Sequence, residues 1–327
     1  MSTTLQRILV PVDGSNYSDK AVSLAMRLAR EHGAEIMFCN AIDYAGIASE
    51  TAMAGAVDLA GTFASLDDGA KELLLGASAR ALAASCRCKA YRLEGRAAAA
   101  IVTFAIEAEV DAIVMGTRGL GGLPHLLLGS TAEGVLRTAT VPVFVVHANS
   151  RLAPAEATTA FTTIAVAIDD SEPSDAASAY AVELAAGTGS KLLFTSVIDA
   201  EALHDQMLRY GPNAAAIRSE WESEASALVD IAARQAGAAG VKSTQTVVAF
   251  GNPSEEILAS ADRANADLLA IGTHGRRGLR RLLIGSVAEN VVRRGSIPIV
   301  VVRSLAELRK GLPADALNSV RAQLVNP

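Results

Sequence analysis

The most informative stretch of this chain is Met115-Gly116-Thr117-Arg118-Gly119, followed after nine residues by Gly129-Ser130. The apolar run Ala112–Val114 precedes it, so a buried strand leads into a glycine loop, and Gly-Ser opens the helix that follows. Glycines let backbone N–H groups approach a ligand closely, and a helix N-terminus adds unpaired donors and partial positive charge. The stretch therefore predicts an anion site suited to phosphate.

The same pattern occurs again at Ile271-Gly272-Thr273-His274-Gly275, which leads to Gly285-Ser286. A constant offset of 156 residues relates the copies and also carries Asp13 onto Asp169. A repeat of this length indicates two tandem domains. The predicted divisions are domain 1 at 1–148, a polar linker at 149–160, domain 2 at 161–303 and a tail at 304–327. The tail is expected to be a packing or solvated appendage, with a helix from Leu305 broken near Pro313 as the alternative.

Composition narrows the classes of function. Of the 327 residues, 50% are hydrophobic and 20% charged, and the net charge of −6 divides equally between 1–150 and 151–327. Neither half has the basic excess of a nucleic-acid-binding protein. Three scattered cysteines favour a reducing compartment and give no metal-site spacing. Since no signal peptide and no apolar run of ~18 residues is found, we expect a soluble cytoplasmic protein without a membrane span.

Strand-like and helix-like segments alternate in both copies, which predicts a parallel α/β sheet in each. Residues 43–65 have only weak patterning and are expected to be a crossover. In such sheets ligands bind beyond the carboxyl ends of the strands, where the strand order reverses. The strands predicted for the first copy are 7–12, 35–42, 89–93, 111–115 and 141–146.

With these motifs the sequence resembles the universal stress protein family in its tandem two-domain form. The most specific feature is the Gly-x2-Gly-x9-Gly-Ser pattern, present twice behind a strand. The resemblance implies two tandem five-stranded parallel doubly wound sheets of the adenine nucleotide α-hydrolase-like type. It also implies a pseudo-twofold pairing of the domains through their last strands, Val143–His147 and Ile299–Arg303, and allows a homodimer.

The resemblance further implies that each domain binds ATP or a related adenine nucleotide, with which Mg²⁺ could enter. In the first copy the implied site residues are Pro11, Val12, Asp13 and Ala41 at the adenosine, Met115 and Gly116 near the ribose, and Gly119, Gly129, Ser130 and Thr131 at the phosphates. In the second copy they are Ala167, Ile168, Asp169, Val197, Ile271, Gly272, Gly275, Arg276, Gly285, Ser286 and Val287.

These roles suit the chemistry of the side chains. A carboxylate such as Asp13 accepts hydrogen bonds from an adenine amino group or a ribose hydroxyl. Its alternative role is to cap the following helix, although Ser15 or Ser171 could cap instead. Ser130 and Ser286 are expected to cap their helices and also to donate to a phosphate oxygen.

The two copies differ in charge. The second glycine loop carries four arginines at positions where the first loop has other residues. In addition, Asp170 replaces Gly14 beside the second crevice. We expect both sites to bind nucleotide and the second to bind phosphate more strongly, unless the arginines form a solvated helix face. The arginines are Arg276, Arg277, Arg280 and Arg281, at the positions of Leu120, Gly121, Pro124 and His125.

Little in the sequence indicates catalysis. It has no Walker pattern ending in Lys-Ser/Thr, no assembled nucleophile and base, and five scattered histidines. This favours a nucleotide-binding regulatory module over the alternative, a slow ATP hydrolase or nucleotidyl-transfer enzyme. A third reading is a stress-associated interaction protein with vestigial sites, which the two intact glycine patterns disfavour.

Overall fold

A computed structural model describes residues 5–53, 58–119, 128–152, 159–210, 214–275, 284–303 and 322–325. The described residues fall into two compact units. The N-terminal unit contains residues 5–149 together with 322–325, and the C-terminal unit contains residues 150–303. Each unit is an alternation of strands and helices.

In the N-terminal unit every strand but the last is followed by one or two helices. Its elements up to residue 149 are β1 (Arg7–Pro11), α1 (Asn16–His32), β2 (Glu35–Ile42), α2 (Tyr44–Met53), α3 (Leu59–Ala83), β3 (Arg87–Glu94), α4 (Ala97–Glu107), β4 (Ala112–Gly116), α5 (Ser130–Thr138) and β5 (Val143–Val146).

The C-terminal unit repeats this succession. Its elements are β6 (Thr163–Ala167), α6 (Glu172–Thr188), β7 (Lys191–Asp199), α7 (Ala200–Tyr210), α8 (Ala214–Ala238), β8 (Thr244–Gly251), α9 (Pro253–Arg263), β9 (Leu268–Gly272), α10 (Ser286–Arg294) and β10 (Ile299–Val302). A last strand, β11 (Ala322–Val325), belongs to the N-terminal unit.

Strand pairing is mainly parallel. The N-terminal order is β3-β2-β1-β4-β5, with every pair parallel, and the C-terminal order is β8-β7-β6-β9-β10 with the same directions. The strand order reverses beside β1 and β6, which places a crevice at their carboxyl ends. The prediction of an α/β fold with a mainly parallel sheet is confirmed.

The local sequence explains the element boundaries. Ile8, Leu9 and Val10 are fully buried, as expected for a strand covered on both faces. The next helix, α1, begins after Ser15, whose side chain accepts a hydrogen bond from the Ser18 amide, and it ends at a left-handed glycine, Gly33. The repeat has the same pair of caps on α6, Ser171 and Gly189.

Several elements were not predicted. Helix α2 and the start of α3 lie within 43–65, which were expected to be a crossover, and α7 was not predicted. The tail contributes β11, which pairs antiparallel with β3. The helix expected from Leu305 lies outside the described residues. Among the described helices none is long and apolar enough to cross a bilayer.

Candidate functional site

A cavity of about 780 Å³ opens in the C-terminal unit at the carboxyl ends of β6, β7 and β9 and the start of α10. All but one of the site residues expected in this copy line it; Arg276 lies outside the described residues. The ten that line it are Ala167, Ile168, Asp169, Val197, Ile271, Gly272, Gly275, Gly285, Ser286 and Val287.

Asp169 lies where β6 passes into α6, but it does not cap the helix. The cap is Ser171, whose Oγ accepts from the Ser174 amide at 3.3 Å and donates to Asp169 Oδ1 at 2.6 Å. On its other side the carboxylate lies against Gly275, where a Cβ would overlap Asp169 Oδ2. Asp169 therefore lies between the helix cap and the glycine loop, and the capping role is taken by Ser171.

The glycine loop is closed by its own backbone. The Gly285 amide donates to the Thr273 carbonyl at 2.8 Å, and the Thr273 amide donates to the Val302 carbonyl at 3.0 Å. A Cβ at Gly285 would lie 3.3 Å from the Cα of His274, so the two ends of the loop touch. The start of α10 is thereby held against the end of β9, at the wall of the cavity.

The helix that follows this loop has no side-chain cap at its N-cap residue. That residue is Gly285, and Ser286 is the first residue of α10. The N-terminal unit has the same arrangement with Gly129 and Ser130. The expectation that the two serines cap their helices is wrong, because the preceding glycine takes the N-cap position. A glycine cap leaves the first-turn amides to other acceptors.

Gly272, the first glycine of the pattern, has a packing role. A Cβ there would lie 2.6 Å from the carbonyl carbon of Pro173 and 2.7 Å from the Ser174 amide nitrogen. Gly116 is constrained in the same way by Tyr17 in the N-terminal unit. The first turn of α6 thus lies directly on the end of β9, and that of α1 on the end of β4, which only glycine permits.

One wall of the cavity was missed by the sequence analysis. It comes from α7 and α8 and adds the only tryptophan of the chain, Trp221, which packs beside the buried cluster of Ile198, Leu203 and Ile217. The lone tryptophan is the one sequence signal that could have drawn attention to this wall. Gln206, Glu220 and Glu224 are polar residues of the same wall, and Asp199 lines the cavity from the end of β7.

Acidic residues gather where α6 begins. Burial, followed by the charges of Asp170, Asp169 and Glu172, raises the pKa of Asp175. Asp170 adopts a left-handed backbone conformation with φ of 62°, whereas the matching residue of the first copy is a glycine with φ of 80°. The C-terminal unit thus places an additional charge at a turn whose geometry favours glycine.

The N-terminal unit repeats the contact between carboxylate and loop. Asp13 Oδ1 accepts from the amide and the Oγ of Ser15, at 3.0 and 2.7 Å, while a Cβ at Gly119 would overlap Asp13 Oδ2. The Val12 carbonyl accepts from Asn40 at 2.8 Å, which ties the ends of β1 and β2 together. The structure therefore brings Asp13 against Gly119, as it brings Asp169 against Gly275 in the C-terminal unit.

The remaining site residues expected in the N-terminal unit lie on the matching strands and helix. Pro11 and Ala41 lie near the ends of β1 and β2, and buried Met115 precedes Gly116 on β4. The Gly129 amide closes the loop by donating to Thr117 at 2.8 Å, and Ser130 and Thr131 open α5.

The first glycine loop itself carries a cation, Arg118. Arg118 donates to the Tyr17 hydroxyl at 3.3 Å, and its guanidinium carbon lies 5.7 Å from the centre of the tyrosine ring. At the repeat-related positions the C-terminal unit has His274 and Pro173, so this pair is particular to the first copy. The contrasting charges expected at 120–127 and 276–283 lie outside the described residues.

Comparison with known proteins gives a consistent result. The model of the universal stress protein family matches residues 4–147 and again 160–303. A universal stress protein of Mycolicibacterium smegmatis is 30% identical over 317 residues, covering 92% of this chain and 98% of that protein. One from Mycobacterium tuberculosis is 30% identical over 198 residues, covering 61% of this chain and 63% of its own length.

A solved structure shares the fold. The crystal structure of a universal stress protein from Archaeoglobus fulgidus superimposes with a TM-score of 0.65 at 24% identity, covering 91% of this chain and 96% of that one.

Proposed function

This chain belongs to the universal stress protein family, and on that premise we propose that it binds ATP or a related adenine nucleotide. The C-terminal cavity is the principal site, and the matching residues of the N-terminal unit form a second. The protein then acts as a cytoplasmic stress-response regulatory module, in which nucleotide occupancy orders the glycine loops and alters a surface read by a partner.

This proposal rests on one observation: the N-terminus of α10, whose N-cap residue is a glycine, lines a concave cavity. The cavity of about 780 Å³ is large enough for a nucleotide. Gly285 leaves the first-turn amides of α10 without a side-chain cap from that residue, and Ser286 adds a hydroxyl donor beside them. Such an arrangement favours a phosphate group over a neutral ligand.

Other cavity residues suit the remaining parts of a nucleotide. Asp169 accepts hydrogen bonds from a ribose hydroxyl or an amino group, and Ile168 and Val197 supply apolar contacts for a base. Trp221 offers an aromatic surface on the wall formed by α7 and α8. Mg²⁺ would enter bound to the phosphates; within the described residues no group of three His, Cys, Asp or Glu side chains is placed to hold a metal ion.

Fluorescence of Trp221 provides a direct test, since this residue lines the cavity and the chain has no other tryptophan. We expect a saturable change in its emission on titration with ATP, and matching heat in calorimetry. The Trp221→Phe variant should lose the optical signal while its calorimetric heat persists. The absence of heat with ATP, ADP and AMP would refute the proposal.

A companion measurement separates a switch from an enzyme. Mass spectrometry of the purified protein identifies any nucleotide that co-purifies, and a phosphate-release assay follows its fate. ATP that stays intact supports the regulatory module. Prompt formation of ADP would favour a hydrolase instead.

A further inference from the structure

We propose that the outer edge of β8 is a docking surface for the same strand of a second copy of this chain, paired antiparallel so that one sheet continues across both copies. This surface is distinct from the nucleotide cavity and does not depend on it. Within the described part of the chain, β8 is hydrogen-bonded to a single strand, β7. Its backbone therefore presents an edge with groups able to pair with another strand.

The side chains of β8 do not protect this edge. The strand runs for eight residues, Thr244–Gly251, and contains no charge. Val248 and Phe250 are large apolar residues that remain 36% and 46% exposed. Edge strands of monomeric proteins are usually short, charged or covered, because a long uncharged edge invites pairing with another chain.

The repeat-related strand, β3, is charged and has its edge covered. Four of the eight residues of β3 are charged, and its edge is covered by β11 in antiparallel pairing. Gln323 of β11 accepts a hydrogen bond from Arg92 at 2.6 Å. This position of the repeat thus accepts an added antiparallel strand. The charged residues of β3 are Arg87, Lys89, Arg92 and Glu94.

The lack of charge on β8 favours a second copy of the same strand as the occupant. Two copies of β3 meeting antiparallel would bring a net excess of cations together, which is unfavourable. Two copies of β8 would meet with no charged side chain on either strand. The C-terminal strand of another copy is a weaker candidate, because β11 is already paired with β3 in its own chain.

The exposed apolar side chains add to this pairing. Val248 and Phe250 are two residues apart, so they lie on the same face of the sheet. On that face Arg218 of α8 stacks on Phe250, with its guanidinium carbon 5.3 Å from the ring centre. An antiparallel second copy would place another Val and Phe on this face and bury apolar surface that the single chain leaves in water.

Sedimentation equilibrium of the full chain over a wide range of concentration tests the proposal. We expect a monomer–dimer equilibrium in the wild type. Val248→Lys should raise the dissociation constant by about tenfold or more, because a cation is introduced on each of the paired strands. The matched control is Leu208→Lys, which removes an apolar side chain that is 70% exposed on α7 of the same unit and should leave the equilibrium unchanged.

Hydrogen exchange supplies a second measurement that does not rely on a variant. The amides of β8 should exchange more slowly as the protein concentration rises, while those of β3 should not change. A chain that stays monomeric, a dimer that Val248→Lys leaves intact, an equal effect of Leu208→Lys, or β8 exchange independent of concentration would each overturn the proposal. Thermal denaturation confirms that both variants are folded.

Discussion

The carboxylate of Asp169 lies so close to Gly275 that a methyl group at residue 275 would overlap its Oδ2 atom. Asp13 stands in the same relation to Gly119 in the other unit. In both copies the second residue after a buried strand thus lies against the glycine loop, although more than a hundred residues separate the two partners in sequence. Because the carboxylate and the loop glycine are in contact, a change in either is expected to displace the other.

Alanine at residue 275 should therefore impair nucleotide binding. The added Cβ would push Asp169 or the loop aside, and we expect ATP affinity at this site to fall by about tenfold or more, equal to ~1.4 kcal/mol. Calorimetric titration with ATP measures the loss. Gly119→Ala should have a smaller effect on total binding, since the C-terminal unit is proposed as the principal site.

A control for this comparison is Gly187→Ala. Gly187 lies in α6 with nothing near the position of a Cβ, so alanine should leave binding unchanged and raise helix stability by up to about 1 kcal/mol. Equal or greater loss of ATP binding from Gly119→Ala than from Gly275→Ala would contradict the expected ranking of the two sites.

Replacement of Asp170 by glycine should stabilise the protein. Its φ of 62° is costly for a residue with a Cβ, and the substitution also removes a charge that raises the pKa of Asp175. We expect the free energy of unfolding to rise by about 1 kcal/mol. Urea denaturation measures it, and the reverse change, Gly14→Asp, should destabilise the N-terminal unit. A less stable Asp170→Gly variant would show that the carboxylate makes a compensating contact.

Tyr44 should ionise at a higher pH than an ordinary tyrosine. It donates a hydrogen bond to Asp67 and accepts one from Arg92, and burial, with the Asp67 hydrogen bond next, raises the pKa of Tyr44 to about 12. Because the folded-state pKa exceeds the unfolded value of about 10, this stabilisation is complete below pH ~10 and is lost as the pH rises toward 12.

Ultraviolet titration of tyrosinate absorbance measures this shift. The late-ionising step should disappear in Tyr44→Phe and should move to lower pH in Asp67→Asn, which removes the anionic partner. An unchanged titration curve in both variants would mean that Tyr44 is not the residue concerned.

Asp267 should contribute more to stability than its counterpart Asp111. Its carboxylate accepts from the amides of Thr162 and Thr163 and from the Thr162 hydroxyl, whereas Asp111 accepts only the amides of Gln6 and Arg7 among these strand-start donors. Asp267→Ala should cost about 1–2 kcal/mol and Asp111→Ala about 1 kcal/mol. Denaturant unfolding gives both values, and the order reversed would refute this account.

The sequence predicts most of the fold because its signals are local. Apolar runs such as Ile8–Val10 mark strands buried on both faces, and caps such as Ser15 and Gly33 mark the ends of a helix. The stretch that forms α2 is rich in Ala and Gly and lacks an apolar stripe, so periodicity does not reveal it. The four residues of β11 are too few to show alternation, and their partner strand is more than two hundred residues away.

The same distinction between local sequence signals and tertiary packing applies to the residues of the site. Its glycine loops and strand-end carboxylates are adjacent in sequence to strong strand signals and were predicted. The wall containing Trp221 was not, because the face that a long helix turns toward a cavity depends on tertiary packing. The capping role given to Ser286 failed because one residue decides where a helix begins, and that boundary is poorly defined by pattern alone.

The close contact between Gly272 and the first turn of α6 bears on how relatives of this protein are compared. That glycine is needed for the helix to lie on the strand, whether or not a nucleotide is present. A relative that no longer binds a nucleotide would therefore still need glycine at this position. Surveys that sort such proteins into binders and non-binders should therefore weigh residues that line the cavity without packing into the core, of which Gln206 on the cavity wall is a candidate here.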